Sequence, residues 1–495
     1  MSVEPLWMGV DLGTQSVKVT VIDDDGRTVA RADVPLRSHR AGRIHEQDPR
    51  DWRRSTAAAV SDAVRQLGPA RDRIGGLSMC STSGTITLLD DAAGVAAAGI
   101  MYDDARGEEA VASVRDADPD LWARLGYRPQ PSWPICTLAW WARRGEFRSE
   151  RVATQGDIVA ATICGHPVAT DWTSALKLGY DTQALAWPQA LLSALGVASE
   201  RLPEVVAPGT ALGVSSAEWE SQTGLPSGVT VYAGLTDGCA AQLASGAMAP
   251  GDWHTVLGTT LVFKGVSPRP ISDAGGAVYS HRSPDDGLWL PGGASSVGAG
   301  VLATQATTGA QLDELADRAV HLDPTRAALC YPLTGIGERF PIIAPEAAGF
   351  VRTDEGDSAL SSLEQGHPET LLALFVGVGF VERLGLELLA HSASSHIQRI
   401  SSSGGGTRSA LWNRLRATIL DRPITVVSAD GATGAAMLAA WGAGPDKETL
   451  AGAARRRTVA ATVAEPNPTW TAGLADRYQQ FRQMLAEHGW MADQA

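Results

Sequence analysis

The sequence predicts an α/β protein built from two domains, and three observations lead to this prediction. The chain has 495 residues, which exceeds what a single hydrophobic core usually sustains. Its first half alternates strand-like and helix-like stretches, as α/β domains do. A strand, a tight Gly-Thr turn and a second strand occur near the N-terminus and again about half a chain later. We therefore expect one domain over residues 1–247 and a second over residues 248–495.

The two hairpins cover residues 8–21, with a turn at Gly13-Thr14, and residues 253–264, with a turn at Gly258-Thr259. β-Branched and apolar residues flank both turns, as a hairpin requires. Because glycine has no Cβ, backbone N–H groups and a threonine hydroxyl can approach phosphate oxygens closely at such a turn. One turn in each half predicts that two related domains grip one nucleotide.

The remaining elements follow from local signals. The first helix is expected to begin at Asp48-Pro49, since proline is favoured in a first turn. The other helices are expected from residue 155 onward and over residues 371–389, 410–416 and 478–488. Short strands are expected over residues 74–80 and 85–89, and a strand running into a glycine turn over residues 398–406. Residues 451–470, with the triplet Arg455-Arg456-Arg457, are expected to form a surface connection.

Composition narrows the class of partner. The net charge of −14 argues against nucleic acid and anionic membranes, which both reward a basic surface. Five cysteines without a C-x-x-C pair argue against a disulfide framework and a zinc site. The N-terminus carries no signal-peptide pattern, and the longest apolar run, Leu371–Val381, is interrupted by Glu382-Arg383 too soon to span a bilayer. We therefore expect a soluble, cytoplasmic protein.

Two aspartates are candidates for chemistry, since neither a G-K-[ST] phosphate loop nor a G-x-S-x-G elbow is present. Asp11 ends a strand before the first turn, where it could hold a magnesium-bound water or merely support the hairpin. Lys18, on the return strand, either neutralises phosphate charge or is an exposed strand lysine. Asp237 falls at a helix N-terminus, where a carboxylate is favoured, so an N-cap is the alternative to a general base.

Residues 402–412 place three consecutive glycines between a strand and a helix. Without side chains in the way, a flat ligand could lie against this backbone. A merely flexible turn is the alternative interpretation.

In this order, the motifs resemble those of the FGGY carbohydrate kinases, of the actin–Hsp70–sugar kinase superfamily, from Gly9 to about Gly442. Residues 11–14 are similar to the first phosphate motif of that family, residues 257–260 to its second, and residues 404–409 to its adenosine motif. Asp237 falls where the family places its catalytic base. The resemblance implies two ribonuclease-H-like domains with a deep cleft between them.

Several strings resemble most the D-ribulose kinase branch, which is related to xylulokinases. They are residues 82–85, 175–180, 278–282, 292–296 and 338–341. Thr82-Ser83-Gly84-Thr85 stands where typical xylulokinases carry Gln-x-His-Gly, which argues against D-xylulose. Thr407 and Ser409 stand where the family often has Asn or Ala.

The resemblance implies ATP- and Mg²⁺-dependent phosphorylation of a ketopentose, with D-ribulose and its 5-hydroxyl as the expected acceptor. Asp237 is expected to be the catalytic base and to contact sugar, and Asp11 and Asp237 are expected to hold the metal. Further sugar contacts are expected at Ser83, Asp104 and Trp52. Nucleotide contacts are expected at Asp11, Gly13, Thr14, Gln15, Ser16 and Lys18 in the first domain and at Gly258, Thr259, Thr260, Gly405, Gly406, Thr407 and Ser409 in the second.

Other interpretations stay open. An ATPase of the actin or Hsp70 kind would turn over ATP without sugar, and a binding protein would keep the fold without catalysis. Within the enzyme class, xylulose, ribitol or another polyol is an alternative substrate. The expected partner is a small-molecule sugar, and the sequence leaves a homodimer open.

Overall fold

The computed structural model describes residues 4–90, 94–147, 150–273, 275–285, 287–306, 308–444 and 448–491. The chain divides into two compact units. Unit 1 comprises Met1–Met248, His281–Trp289 and Ala429–Val459, and unit 2 comprises Ala249–Ser280, Leu290–Ser428 and Ala460–Ala495. The predicted domain boundary between residues 247 and 248 therefore lies where the chain first passes from unit 1 to unit 2. The first predicted domain does not include the two later segments of unit 1, residues 281–289 and 429–459.

The elements are numbered in chain order. The strands are β1 (Leu6–Leu12), β2 (Ser16–Ile22), β3 (Thr28–Pro35), β4 (His39–Ala41), β5 (Ile44–Gln47), β6 (Ile74–Ser81), β7 (Ile86–Leu89), β8 (Gly99–Ile100), β9 (Arg151–Thr154), β10 (Thr170–Asp171), β11 (Val205–Val206), β12 (Ala211–Val214), β13 (Thr230–Thr236), β14 (Asp252–Leu257), β15 (Leu261–Gly265), β16 (Tyr279–Arg282), β17 (Trp289–Ser295), β18 (Cys330–Glu338), β19 (Ala344–Thr353), β20 (Gly356–Ala359), β21 (Arg399–Ser403), β22 (Ile424–Val427) and β23 (Ala460–Ala464). The helices are α1 (Pro49–Leu67), α2 (Val111–Ala117), α3 (Pro119–Leu125), α4 (Pro134–Arg144), α5 (Gln155–Cys164), α6 (Trp172–Ala175), α7 (Gln189–Leu195), α8 (Ala217–Thr223), α9 (Asp237–Ala244), α10 (Gly309–Ala319), α11 (Pro368–Ser392), α12 (Ala410–Leu420), α13 (Gly431–Gly442), α14 (Leu450–Arg457) and α15 (Pro468–Glu487).

Unit 1 is organised around a sheet with the strand order β12-β13-β6-β1-β2-β3. β1, β6 and β13 are parallel neighbours, and β1 and β2 form the antiparallel hairpin predicted from the sequence. Helices α1, α5 and α8 pack against one another beside this sheet, whereas α9 and α13 pack on each other and on β6. A smaller sheet has the strand order β4-β5-β8-β7-β9, and its strand β7 follows the loop after β6. Unit 1 is thus an α/β unit in which three parallel strands end at one edge.

Unit 2 repeats this arrangement. Its sheet contains the order β17-β15-β14-β21-β22-β23. β14 and β15 form an antiparallel hairpin, and β21 runs parallel to β14, as β6 runs parallel to β1 in unit 1. The core is formed largely by α11, which is buried along most of its length, together with α12 and α15. The prediction of an α/β fold with two related domains is confirmed.

The predicted elements differ from the observed ones chiefly near the C-terminus. Residues 451–470 are not only a surface connection, because they contain most of α14, β23 and the start of α15. Asn467 caps α15 and Pro468 occupies its first turn, so the helix begins ten residues before the predicted start. Arg457, in this segment, is buried, since its side chain is 4% exposed and pairs with Asp24.

Within the described ranges, α11 and the other helices are too short or too polar to cross a lipid bilayer.

Candidate functional site

Three loops of unit 1 meet at the carboxyl edge of its parallel strands. Asp11 lies opposite Cys80 in the pairing of β1 with β6, and Thr236, at the end of β13, lies opposite Ser81. The Gly13 turn, the loop of residues 82–85 and the start of α9 therefore leave the sheet at the same edge. This edge is where ligands bind in open α/β sheets.

Asp11 has an unusual electrostatic environment. Burial and the negative charge of Asp237 raise the pKa of Asp11 from 3.8 to about 6. The Cys80 thiol, which donates a hydrogen bond to Asp11 Oδ1 over 3.4 Å, and the positive charge of Lys18 act in the opposite direction. Lys18 lies directly across the hairpin from Asp11 and is exposed. The edge thus concentrates negative charge, as sites that bind a cation do.

A third aspartate at this edge, Asp430, was not predicted from the sequence. It caps α13 by accepting a hydrogen bond from Thr433 N, and it pairs with Arg31 at 2.7 Å. The next residue, Gly431, lies so close to Asp11 that a Cβ added there would sit 3.0 Å from Asp11 Cγ. The negative charge of Asp430 also contributes to the raised pKa of Asp11. The pattern Asp430-x-x-Thr433 in the sequence indicates the start of α13. It does not indicate that this start lies beside Asp11.

Asp237 is the first residue of α9, and Thr236 occupies the N-cap position. The Asp237 carboxylate is exposed and accepts a hydrogen bond of 2.7 Å from Gly238 N. Thr236 N donates to Thr173 Oγ1, which fixes the strand end before the helix. The N-cap alternative for Asp237 is therefore wrong, and the carboxylate is held at the helix start while facing outward.

Lys177 and Ser83 form a second polar group of unit 1. Lys177 Nζ donates a hydrogen bond of 2.9 Å to the carbonyl oxygen of Ser83. Burial lowers the pKa of Lys177 to about 8, against the opposing attraction of Asp237. Ser83 Oγ is buried and has no hydrogen-bond partner within the described residues. Ser83 was predicted from the sequence as a sugar contact and Lys177 was not, although Lys177 lies in one of the strings that carry the family resemblance.

Asp104 and Trp52, both predicted to contact sugar, form hydrogen bonds inside unit 1. Asp104 is 1% exposed, and its carboxylate accepts hydrogen bonds from His45 N and from the Arg106 guanidinium. Trp52 is 0% exposed, and its indole N–H donates to Gln47 Oε1 over 2.7 Å. Both side chains are thus buried and hydrogen-bonded within unit 1, and a sugar contact at either residue stays a prediction.

The Gly13 turn of unit 1 is held by its surroundings. Gly13 N donates to Ser16 O over 3.1 Å, and Leu36 N donates to Gln15 O over 2.8 Å. The amide of Gln47 donates to Thr14 O over 2.7 Å. These bonds restrain the turn that is predicted from the sequence to contact phosphate.

The second turn, in unit 2, is restrained in the same way. Gly258 N donates to Thr260 O over 3.1 Å, which closes the turn. Ala299 N donates to Gly258 O over 2.7 Å, and Gly300 N donates to Thr259 O over 3.0 Å. Thr259 is the exposed residue of this turn.

The glycine loop of unit 2 lies close to the end of β14. A Cβ at Gly404 would sit 2.6 Å from the carbonyl oxygen of Leu257, and one at Gly406 would sit 2.5 Å from the Leu257 side chain. Gly404 also has a φ of +99°, a backbone conformation that residues other than glycine rarely adopt. Thr407 Oγ1 donates to Gly404 O, and Ser409 Oγ caps α12 by accepting from Trp412 N. Both hydroxyls thus stabilise the loop itself, and the backbone at Gly405 is exposed.

The carboxylates of Asp11 and Asp237 fit a magnesium site in which the protein supplies only two of the ligands. No group of three or more His, Cys, Asp or Glu side chains in the described part of the chain is placed to hold a metal ion. Mg²⁺ usually takes one or two carboxylates and completes its shell with water and phosphate oxygens. Asp11 and Asp237, which repel each other electrostatically, supply a donor set of this kind.

Replacing Ser83 with alanine is expected to stabilise the protein and to weaken sugar binding. Removing a buried, unpaired hydroxyl should raise the free energy of unfolding by about 1 kcal/mol. If that hydroxyl turns toward a sugar hydroxyl, its loss should raise the KM for sugar about tenfold. Urea unfolding and steady-state kinetics measure the two effects.

A matched control is Ser395→Ala, which removes another buried, unpaired hydroxyl, in unit 2. It should stabilise the protein similarly and leave the KM for sugar unchanged. An unchanged KM in Ser83→Ala as well would show that Ser83 does not contact the sugar.

Comparison with known proteins gives matches over most of the chain. The model of the N-terminal domain of the FGGY family of carbohydrate kinases matches residues 6–244, and that of the C-terminal domain matches residues 254–443. The xylulose kinase of Escherichia coli is 25% identical over 456 residues, covering 90% of this chain and 92% of that protein.

Solved structures extend the match. A xyloylose kinase from Brucella ovis superimposes with a TM-score of 0.85 at 25% identity, covering 98% of this chain and 99% of that one. A gluconate kinase from Lactobacillus acidophilus gives a TM-score of 0.83 at 20% identity, covering 98% of both chains. At 20% identity, the second match shows the fold alone. Because kinases named for different substrates share this fold, the fold does not identify the substrate.

Proposed function

Because the chain belongs to the FGGY family of carbohydrate kinases, which are phosphotransferases, we propose that it phosphorylates a ketopentose with ATP. The observation that carries this proposal is the exposed Asp237 carboxylate, held by Gly238 N at the edge of the sheet where the Gly13 turn and the Ser83 loop also lie. D-Ribulose is the proposed acceptor, and D-xylulose is the second candidate.

In the proposed reaction, Asp237 accepts the proton of the primary hydroxyl as its oxygen attacks the γ-phosphorus of ATP. A bond forms between the sugar oxygen and the γ-phosphorus, while the bond from that phosphorus to the bridging oxygen breaks and ADP leaves. General-base help of this kind contributes about 10²–10⁴-fold to the rate. The fixed position of the carboxylate contributes further, because the reacting groups need not be ordered at the moment of reaction.

Asp11 and Asp237 are the residues that would hold Mg²⁺. When bound, the ion supplies positive charge that neutralises the phosphate oxygens. The same positive charge would lower the pKa of Asp11, because it opposes both causes of the raised value. Asp11 would then stay ionised below pH 6 as well, and not only above it.

The proposed nucleotide contacts are assigned separately to the two units. In unit 1 they are Gly13, Thr14, Gln15, Ser16 and the exposed Lys18, beside Asp11. In unit 2 they are Gly258, Thr259, Thr260, Gly405, Gly406, Thr407 and Ser409. Since the hydroxyls of Thr407 and Ser409 serve the loop, we infer that these two residues act through the backbone conformation that they stabilise.

The choice between D-ribulose and D-xylulose depends on one stereocentre, since the two sugars are epimers at C3. Ser83 offers a hydroxyl near the Lys177 ammonium, and Thr82 and Thr85 are bonded to each other, where typical xylulokinases carry a histidine. This difference favours D-ribulose. Relatives named xylulose kinase favour D-xylulose as the alternative.

The test is the rate of ADP formation from Mg·ATP with D-ribulose, L-ribulose, D-xylulose, ribitol, glycerol or no sugar. We expect kcat/KM for D-ribulose to exceed that for each other acceptor by roughly tenfold or more, as differences of a few polar contacts allow. A preference for D-xylulose would overturn the assignment of D-ribulose and keep the pentulose kinase. Turnover that is independent of sugar would instead indicate an ATPase switch.

A further inference from the structure

A buried ion pair lies in the core of unit 2, apart from the residues that the proposed reaction uses. Arg416, on α12, and Glu382, on α11, are both 0% exposed. Arg416 Nε donates to Glu382 Oε2 and Arg416 Nη2 donates to Glu382 Oε1, both over 2.6 Å. Apolar residues of similar volume often serve stability equally well at such a place. Stability alone therefore does not account for the pair.

The guanidinium of Arg416 also connects two strands. Its Nη2 donates to Thr255 Oγ1 over 3.0 Å and to Ser402 Oγ over 2.8 Å. Thr255, on β14, lies three residues before Gly258, where the second turn begins. Ser402, on β21, lies two residues before Gly404, where the glycine loop begins. One buried cation is thus bonded to both strands that lead into the proposed nucleotide loops.

A second set of bonds leads from Arg416 into the glycine loop itself. Arg416 Nη1 donates to Asn413 Oδ1 over 3.4 Å, and Asn413 Nδ2 donates to the carbonyl oxygen of Thr407 over 2.7 Å. The loop is also in tight contact with β14, because Gly406 has no room for a Cβ beside Leu257. A shift of β14 against β21 would therefore be transmitted to the loop.

We propose that Arg416, paired with Glu382, is a positioning residue for nucleotide binding. It fixes β14 against β21, and so sets the spacing between the turn of residues 258–260 and the loop of residues 404–409. Through Asn413 it also holds the backbone of that loop. The inference rests on the proposed function only in taking these two loops as ATP contacts.

The test compares ATP affinity in variants with matched stability. Arg416→Met combined with Glu382→Leu removes the pair without leaving an unpaired buried charge. We expect the Kd for Mg·ATP, measured by calorimetry without sugar, and the KM for ATP to rise about tenfold. The KM for the pentulose and the midpoint of thermal unfolding should stay near the wild-type values.

A second variant, Asn413→Asp, tests the hydrogen bonds that connect Arg416 to the glycine loop through residue 413. Aspartate keeps an acceptor for Arg416 and loses the donor to Thr407 O. It should also raise the Kd for ATP, by severalfold, and it decides the matter if the double variant does not fold. The control is Arg383→Met, which removes a neighbouring ion pair on α11, with Glu387, and should leave ATP affinity unchanged.

Wild-type Kd values for ATP in the folded double variant and in Asn413→Asp would overturn the positioning role. A wild-type protein that binds ATP without phosphorylating any sugar would refute the proposed function, and the Kd comparison would still decide the role of Arg416. A wild-type protein that does not bind ATP would refute both.

Discussion

Replacing Asp237 with asparagine is expected to lower kcat for sugar phosphorylation by about 10²–10⁴-fold, the range attributed to general-base help. Asparagine has the same size as aspartate and keeps an oxygen that can accept the hydrogen bond from Gly238 N, so the start of α9 should be preserved. It cannot take the proton of the attacking hydroxyl. Steady-state kinetics with saturating Mg·ATP and pentulose measures the loss, and calorimetry checks that ATP still binds.

The matched control is Asp430→Asn, at another aspartate that interacts electrostatically with Asp11. Asparagine is as good an N-cap as aspartate, so α13 should keep its start, while the exposed ion pair with Arg31 and the repulsion of Asp11 are lost. Exposed pairs of this kind contribute about 0–1 kcal/mol. We expect kcat within about threefold of the wild type. A similar kcat in Asp237→Asn would rule out Asp237 as the base.

Elements with local chemical signals could be predicted from the sequence. Asp48 and Pro49 mark the start of α1, because one accepts a hydrogen bond from Arg50 N and the other fits the first turn. Both Gly-Thr hairpins were predicted, since alternating apolar residues and a tight turn are local patterns. The start of α15 was missed even though Asn467-Pro468 gives the same kind of signal as Asp48-Pro49. The segments 281–289 and 429–459 of unit 1 could not be predicted, because long-range packing assigns them.

The site was predictable where topology follows from strand direction. Asp11 lies near the end of β1 and Asp237 follows β13, and both strands run parallel to β6, so the proximity of the two aspartates follows from the shared carboxyl edge. Lys177 and Asp430 come to that edge from helical segments. Long-range packing places these segments there, and no local sequence pattern predicts it. The ion pair that the Asp104 carboxylate forms with Arg106, two residues later, was not predicted, although both residues lie in one short segment.

The site residue with the largest expected effect on stability is Asp11. In Mg²⁺-free buffer at pH 7.5, Asp11→Asn is expected to raise the free energy of unfolding by about 1–3 kcal/mol. Burial and Asp237 raise the pKa of Asp11 to about 6 in the folded protein, from 3.8, and each pKa unit corresponds to about 1.4 kcal/mol. The lower bound of our range allows for screening, since Asp11 is only half-buried.

The sign of the pH dependence follows from proton binding. Between about pH 4 and pH 6 the folded wild type binds more protons at Asp11 than the unfolded chain does, so its stability falls as the pH rises through this window. Above pH 6 the carboxylate is charged in both states and the full cost of burying it remains. Asparagine carries no charge, so the advantage of Asp11→Asn should be small near pH 4 and complete above pH 6. Urea unfolding of both proteins at several pH values measures this difference.

The same substitution should remove most of the phosphotransfer activity, because Asp11 is one of the two proposed Mg²⁺ ligands. Mg·ATP should stabilise the wild type more than Asp11→Asn, since a cation beside Asp11 offsets the cost of its charge. A carboxylate that destabilises the free protein and is required for turnover is placed there for its ligand, not for the fold. An advantage of Asp11→Asn that grew toward pH 4, or equal stabilisation of both proteins by Mg·ATP, would contradict this role.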